Sequence, residues 1–371
     1  MDIFEACRVG NLEWLKQHHA AKKLGRAMVK NQLSSNPLFP HEYAAAGGHL
    51  EVLKWLVMES GKKVDLTRNH NQAVRLAVKH GELEVIKWLV SESGQPVNVA
   101  DYGNDAINCA VGSGNLEIVK WLVQESGQVV NLAADGGMAV LVAAGNGDFE
   151  VLKWLVESSG QLVDPVDGLY AAAMNGSFEI CRWIFERIDI PALDEMSLIW
   201  PVFMELIGHG DLDLVKWMVQ NLPAKLFGNM NHALELAAFT GHVHIAQWLI
   251  SDSGQLIDIT ANNHQALKVA SEKDQREVVE WLSEEYRRCA DQIAVNSAAK
   301  YGNLELLKWL VEARGDGVDA RKIDLGPETA DSIRQYVETV QSLQKDLGMK
   351  KWRELIEKKQ VGLSNTLLRR M

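Results

Sequence analysis

The sequence predicts an all-α solenoid of about ten helix-turn-helix repeats, closed by a short helical C-terminal cap. Three regularities predict it: a recurring tryptophan, a glycine ahead of it, and a small residue ahead of the glycine. Periods of this length mark stacked repeats, each burying its apolar side against the next.

Trp55, Trp88, Trp121 and Trp154 stand 33 residues apart; Trp183, Trp217, Trp248, Trp281 and Trp309 follow at spacings of 29, 34, 31, 33 and 28. Trp14 precedes Trp55 by 41, so ten of the twelve tryptophans are read as one structural position, with an insertion at about 18–38. Each lies in a near-constant run, as from Gly48 to Val57 or Gly81 to Val90. Within the latter, Leu83, Ile86, Leu89 and Val90 form one stripe and Val85 and Trp88 a second. An apolar arc that wide suits a helix packed on two sides. Glu84 and Lys87 hold the remaining face at i, i+3, as do Glu51/Lys54, Glu117/Lys120, Glu150/Lys153 and Glu305/Lys308.

A shorter helix precedes each corner glycine. Four residues before it stand Ala6, Ala44, Ala77, Ala110, Ala143, Ala172, Ala237 and Ala298, with Ala270 ahead of Asp274, which replaces the glycine. Small residues there imply closely crossing helices, and glycine ends the first helix. After the second helix, Glu92 to Gln95, Glu125 to Gln128 and Asp252 to Gln255 read as a glycine cap leading into an extended connector such as 129–132.

The repeat resembles the ankyrin repeat, whose second helix commonly reads Gly-His-Leu-Glu-Val-Val-Lys-Leu-Leu-Leu; Gly48 to Val57 and Gly241-His242-Val243-His244 fall on that pattern. The resemblance covers about 1–318. The family's Thr-Pro-Leu-His is largely missing: Ala73, Ala106, Ala139, Ala233, Ala266 and Ala294 take the proline's place and only Pro40 matches. Tetratricopeptide repeats, of similar length, put tryptophan in the first helix and proline near the end of each unit, unlike this chain.

Three places break the pattern. The insertion carries Lys22, Lys23, Arg26 and Lys30 and reads as a solvated helix-loop or a contact for an acidic partner. The unit at about 189–219 puts Trp200-Pro201 where the finger belongs, so Trp200 either fills a gap of its own repeat or anchors a partner. Between Trp281 and Trp309 the link is short enough for a near-continuous helix. From Asp319 a new helix is expected at Gly326-Pro327-Glu328, with Ala330, Ile333, Val337, Val340, Leu343 and Leu347 as its stripe and a second amphipathic piece after Gly348. Residues 319–371 are read as a cap, or as an extension that docks elsewhere.

Composition bounds the function. The 371 residues are 47% apolar and 23% charged with 8 prolines, enough for ample cores. The net charge of -11 disfavours nucleic acid and favours a protein partner with a basic surface. Cys7, Cys109, Cys181 and Cys289 are far apart and read as reduced thiols. No apolar run is long enough to span a membrane, and the first residues lack the order of a signal peptide. The cytoplasm is the expected compartment, a host's if the chain is a delivered effector.

No catalytic motif is present, and no cofactor or metal is expected. His242 and His244 are two apart on a helix and His18-His19 adjacent, so neither pair can share a metal. The expected function is a non-catalytic scaffold or adaptor; the alternative is an effector whose C-terminal helices carry the activity. The resemblance implies a partner held in a groove lined by fingers and first helices. It nominates Arg68, Asn69, His70 and Arg75, then Asp101, Tyr102 and Asn104, then Asp135, and farther on Trp200, Asn229, Met230, Asn231 and His232, and Asn262, Asn263 and His264. These residues vary between repeats while the buried frame does not, so packing does not dictate them.

Overall fold

The structure, a computed structural model, describes residues 1–19, 38–61, 63–187, 196–255, 257–285, 289–313, 318–325 and 329–358. The chain divides into two compact units, Met1–Ile188 and Asp189–Met371. No β-strand occurs among the described residues.

In the first unit the helices pair in order: α1 (Ile3–Arg8) with α2 (Leu12–His19), α3 (Pro40–Ala46) with α4 (Leu50–Lys54), α5 (Arg68–His80) with α6 (Leu83–Ser91), α7 (Asp101–Gly112) with α8 (Leu116–Lys120), α9 (Ala134–Asn146) with α10 (Phe149–Glu157), and α11 (Leu169–Met174) with α12 (Phe178–Phe185). The second unit continues with α13 (Met196–His209) and α14 (Leu212–Asn221), α15 (Met230–Thr240) and α16 (Val243–Ser251), α17 (Ala261–Glu272) and α18 (Arg276–Glu285), and α19 (Cys289–Tyr301) and α20 (Leu304–Ala313). A final helix, α21, spans Asp331–Lys358. Within each unit, successive first helices pack side by side.

The recurring residues explain the stacking. The helix-one alanines are fully buried, as is Leu206 in the irregular repeat. Each corner glycine has a left-handed backbone, with φ between 69° at Gly114 and 93° at Gly302, and Asp274 adopts φ 58° in the same place. Asp is among the few side chains that tolerate that region. Corner side chains also tie neighbours together. His49 Nε2 lies 2.8 Å from Arg8 O and His242 Nε2 2.9 Å from Gly208 O, a backbone role for both histidines.

Trp55, Trp88, Trp121, Trp183 and Trp248 are buried on the second helices. The carbonyls of Trp55, Trp88, Trp121 and Trp248 accept from the amides of Ser60, Ser93, Ser126 and Ser253, five residues on, at 2.9–3.0 Å. After α4 and α8 this wider closure is a full π-turn, Trp55–Glu59 and Trp121–Glu125. The serine hydroxyl then donates four residues back, as from Ser93 to Leu89 O at 2.7 Å, and the next residue is a left-handed glycine. Trp14 does not share this position. It lies four residues after Gly10, not seven, so it takes the place of buried Val52 and Gln17 that of Trp55. Its ring, half-buried, stacks on His18 with centroids 4.1 Å apart.

The connectors are held by a side-chain amide from the following repeat. Gln95 Nε2 donates to Val64 O while its Oε1 accepts from Leu66 N, both at 2.9 Å. Gln128 binds Val97 O and Val99 N at 2.8 Å, and Gln161 binds Val130 O at 2.8 Å and Leu132 N at 2.9 Å. Each amide bonds a carbonyl and an N–H two residues apart, the pattern a neighbouring strand would supply. Between those two residues an Asx turn recurs: Asp65 accepts from Thr67 N, Asn98 from Ala100 N and Asn131 from Ala133 N; Asp164 makes the same turn with Val166 N around Pro165, which has no N–H to clamp.

The C-terminal helix repeats this device. Gln344 donates to Val318 O at 3.1 Å and accepts from Ala320 N at 2.9 Å, so α21 does for the last connector what the next repeat does for the others. Its start differs from expectation: the helix begins at Asp331, and 326–328 lie outside the described residues. Ile333, Val337, Val340 and Leu343 are buried together with Tyr336 and Gln344, whereas Ala330 is exposed and Leu347 only half-buried. Gly348 breaks the helix at φ 71°, ψ 156°. Most of the insertion (20–37) and the link at 286–288 lie outside the described residues.

Removing the buried Gln344 amide leaves a carbonyl and an N–H of the last connector without partners, a loss of about 1–3 kcal/mol. Gln344→Ala is therefore expected to lower the urea midpoint of the full chain, with a larger loss than Gln335→Ala on the exposed side of the same helix.

Candidate functional site

The nominated residues cluster at the starts of first helices, where the backbone takes an unusual course. Asn69, His70 and Asn71 have φ of 49°, 55° and 57°; Asp135, Gly136 and Gly137 follow at 52°, 67° and 71°; and Asn104, Asn262 and His264 lie between 51° and 60°. Asn, Asp, His and Gly are the residues that enter this region most readily. The choice at these positions is thus set partly by backbone conformation, which corrects the inference from variation alone.

In the first unit the nominated side chains bond in several small groups. The Arg68 guanidinium lies 4.1 Å above the Phe39 ring. Asn69 donates to Gln72 Oε1 at 3.1 Å, and its carbonyl accepts from Arg75 Nη2 at 3.2 Å. Arg75 also pairs with Asp105. His70 Nδ1 stands 3.9 Å from Asp101 Oδ2. Several of their partners had not been nominated, Asn71 and Asp105 foremost. Asn71 donates to Asp101 at 2.8 Å and accepts from Asn98 N at 3.3 Å, and Asp105 anchors Arg75. The spacing of Asn71 and Asn104, 33 residues, was a signal for the first. Asn104 is buried and donates to Asn131 O at 3.0 Å. Asp135 is exposed one repeat farther on. The Tyr102 side chain lies outside the described residues.

In the second unit Asn229 caps α15 by accepting from Asn231 N, and His232 is exposed. Asn231 accepts from Asp258 N at 2.8 Å, and Asn262 donates to Glu235 at 2.7 Å. Met230, nominated for the surface, is only 6% exposed: as the first residue of α15 it turns into the core. His264 is half-buried, and the Asn263 side chain lies outside the described residues.

One register position links these details. Asn71, Asn104, Asn231 and Gln292 stand six residues before the helix-one small residue, and each bonds the connector 27 residues ahead; Gln292 accepts from Asp319 N at 2.9 Å. Trp200 occupies that same position before Leu206. Its ring lies against Gly228, where a Cβ would come within 2.9 Å of it, and stacks towards Phe203 at 5.7 Å. The aromatic ring contacts the next connector where other repeats use an amide. This favours the gap-filling reading of Trp200.

Other reactive groups are embedded. Burial pushes the Cys7 thiol up to about 12, with Asp2 adding to it, and Cys181 is buried. His41 and Glu42 occupy core-facing places behind Pro40; burial lowers His41 to about 4 and raises the Glu42 carboxyl. Among the described residues no group of three or more His, Cys, Asp or Glu is placed to hold a metal, and no helix is long and apolar enough to cross a membrane.

With corners, stacked helix pairs and Asx-turn connectors in place, comparison with known proteins decides the family. The model described as ankyrin repeats (3 copies) matches residues 3–101, 41–134, 107–194 and 203–296. The chain belongs to the ankyrin repeat family. Ankyrin repeats are generally protein–protein interaction modules and typically non-catalytic. No curated protein matches the sequence.

Neighbouring ankyrin positions here divide into frame and face. Asn71→Ala removes two bonds to the next repeat and is expected to cost about 1–3 kcal/mol in denaturant unfolding. His70→Asn, one residue away, largely exposed and still suited to the left-handed backbone, is expected to change stability by less than about 0.5 kcal/mol.

Proposed function

We propose that the chain is a non-catalytic scaffold that holds a partner protein against its first helices and connectors. The observation that carries this reading is the division just described. Tryptophan, alanine, glycine and clamp glutamine recur, while surface positions beside them change: the place of His232 holds Gln72, Asp105, Met138 and Asp167 in earlier repeats, and that of His70 holds Gly103 and Gly136. Unlike residues on a uniform frame supply specificity without altering the fold. The net charge of -11 favours a basic partner surface and disfavours phosphate backbones. The chemistry of the face agrees: most of its polar groups are Asn, Asp and His, and of its two arginines Arg75 is paired with Asp105 and Arg68 lies over the Phe39 ring.

The alternative, in which the C-terminal helices carry the activity, receives less support. Gln344 and the stripe from Ile333 to Leu343 commit α21 to closing the last repeat. Such closure keeps an apolar end face from water.

Affinity capture with the full chain, run at about 0.05 M and about 0.5 M salt, tests the reading. A protein partner is expected, with recovery falling several-fold at high salt. Recovery of no partner at either salt would overturn the scaffold reading, and recovery indifferent to salt would overturn its electrostatic part.

A further inference from the structure

We propose that the partner seats on the first-helix face of α9 and α11, and that it does so with an extended segment carrying bulky apolar side chains beside a lysine or arginine. The proposal rests on the scaffold reading and locates its surface. Four of the large apolar side chains left exposed fall on this one face: Met138 (36%) and Leu141 (40%) on α9, Tyr170 (38%) and Met174 (55%) on α11. Their adjacency follows from the repeat register. Leu141 and Tyr170 each stand two residues before the helix-one alanine, Ala143 and Ala172. Met138 lies one turn before Leu141, and Met174 one turn after Tyr170. The two helices pack directly, so closely that a Cβ on Gly145 would lie 3.5 Å from that of Ala171.

The same register shows where the patch begins. The place of Leu141 and Tyr170 is taken by Arg75 and Asn108 in the two preceding repeats, so the face turns from polar to apolar at α9. The place of Met174 is taken by Gly112 and Gly145, which leave open floor beside its side chain. Contiguous exposed apolar surface of this kind marks interaction sites.

The border on the connector side is acidic. Asp135 projects from the left-handed turn that opens α9, and Asp164 and Asp167 lead into α11. The Asp167 carboxylate is held against Gly137, where any Cβ would collide with it. Its carboxyl is raised by burial and then by Asp164, so a cation docking there would relieve the cluster. An apolar floor with a carboxylate border selects apolar-plus-basic segments and repels acidic ones.

The test uses the full chain and a random peptide library displayed on phage. Enriched peptides are expected to pair aliphatic or aromatic residues with Lys or Arg. A synthetic copy should bind the double variant Leu141→Ser/Tyr170→Ser at least about tenfold more weakly, with the helical circular-dichroism spectrum and cooperative unfolding retained. Asp135→Asn/Asp167→Asn should weaken it several-fold and flatten its salt dependence. Met174→Glu, a second variant on the floor, should also weaken it. Enrichment of acidic or wholly polar peptides, no enrichment, or wild-type affinity in the floor variants would overturn the proposal. A captured protein that binds Leu141→Ser/Tyr170→Ser normally would sink this location while leaving the scaffold reading standing; capture of nothing would sink that reading itself.

Discussion

In the first unit the connectors at 64–66, 97–99 and 130–132 are each held by a glutamine of the repeat that follows. The backbone between Val64 and Leu66 runs extended between buried side chains, and its carbonyl and N–H find a partner only in the glutamine that closes the following repeat. Buried peptide groups without partners are costly, so at these connectors a repeat depends on its successor for hydrogen bonds as well as for apolar packing. Other features fit that dependence: the serine-glycine exit that aims the glutamine, the Asx turn that shapes the segment it grips, and a C-terminal helix whose Gln344 serves the connector at 318–320.

This constraint separates frame from face. Buried or half-buried side chains that bridge repeats, such as Asn71, Asn104 and Asn231, lie within a residue or two of largely exposed ones, such as His70 and His232. The frame can therefore be strict while its neighbours vary. Trp200 shows how far the frame bends. A ring against Gly228 replaces the amide, a change possible only because the next connector has no side chain there.

The fold was legible in the sequence because its causes are local and periodic. Corner glycines, the alanine four residues earlier and the apolar arc of the second helix each report a single-repeat requirement, and even Asp274 reads as a glycine substitute that the backbone confirms. What escaped was relational. Gln95, Gln128 and Gln161 are visibly periodic, yet a side chain bonding a backbone 31 residues earlier leaves no mark on local pattern. The left-handed run Asn69–His70–Asn71 resembled variable surface because Asn and His suit both roles. Met230 looked polar by company and lies inward because α15 begins on it. Trp14 was grouped with the others by residue type, although its distance from Gly10 sets it apart.

The most direct test is amide hydrogen exchange in the native full chain with Gln128→Ala. The Val99 amide, bonded to Gln128, should lose protection, while the Leu66 amide, held by Gln95, keeps most of its own. Unchanged protection at Val99, or equal loss at both amides, would contradict the view that each connector is secured by the repeat after it.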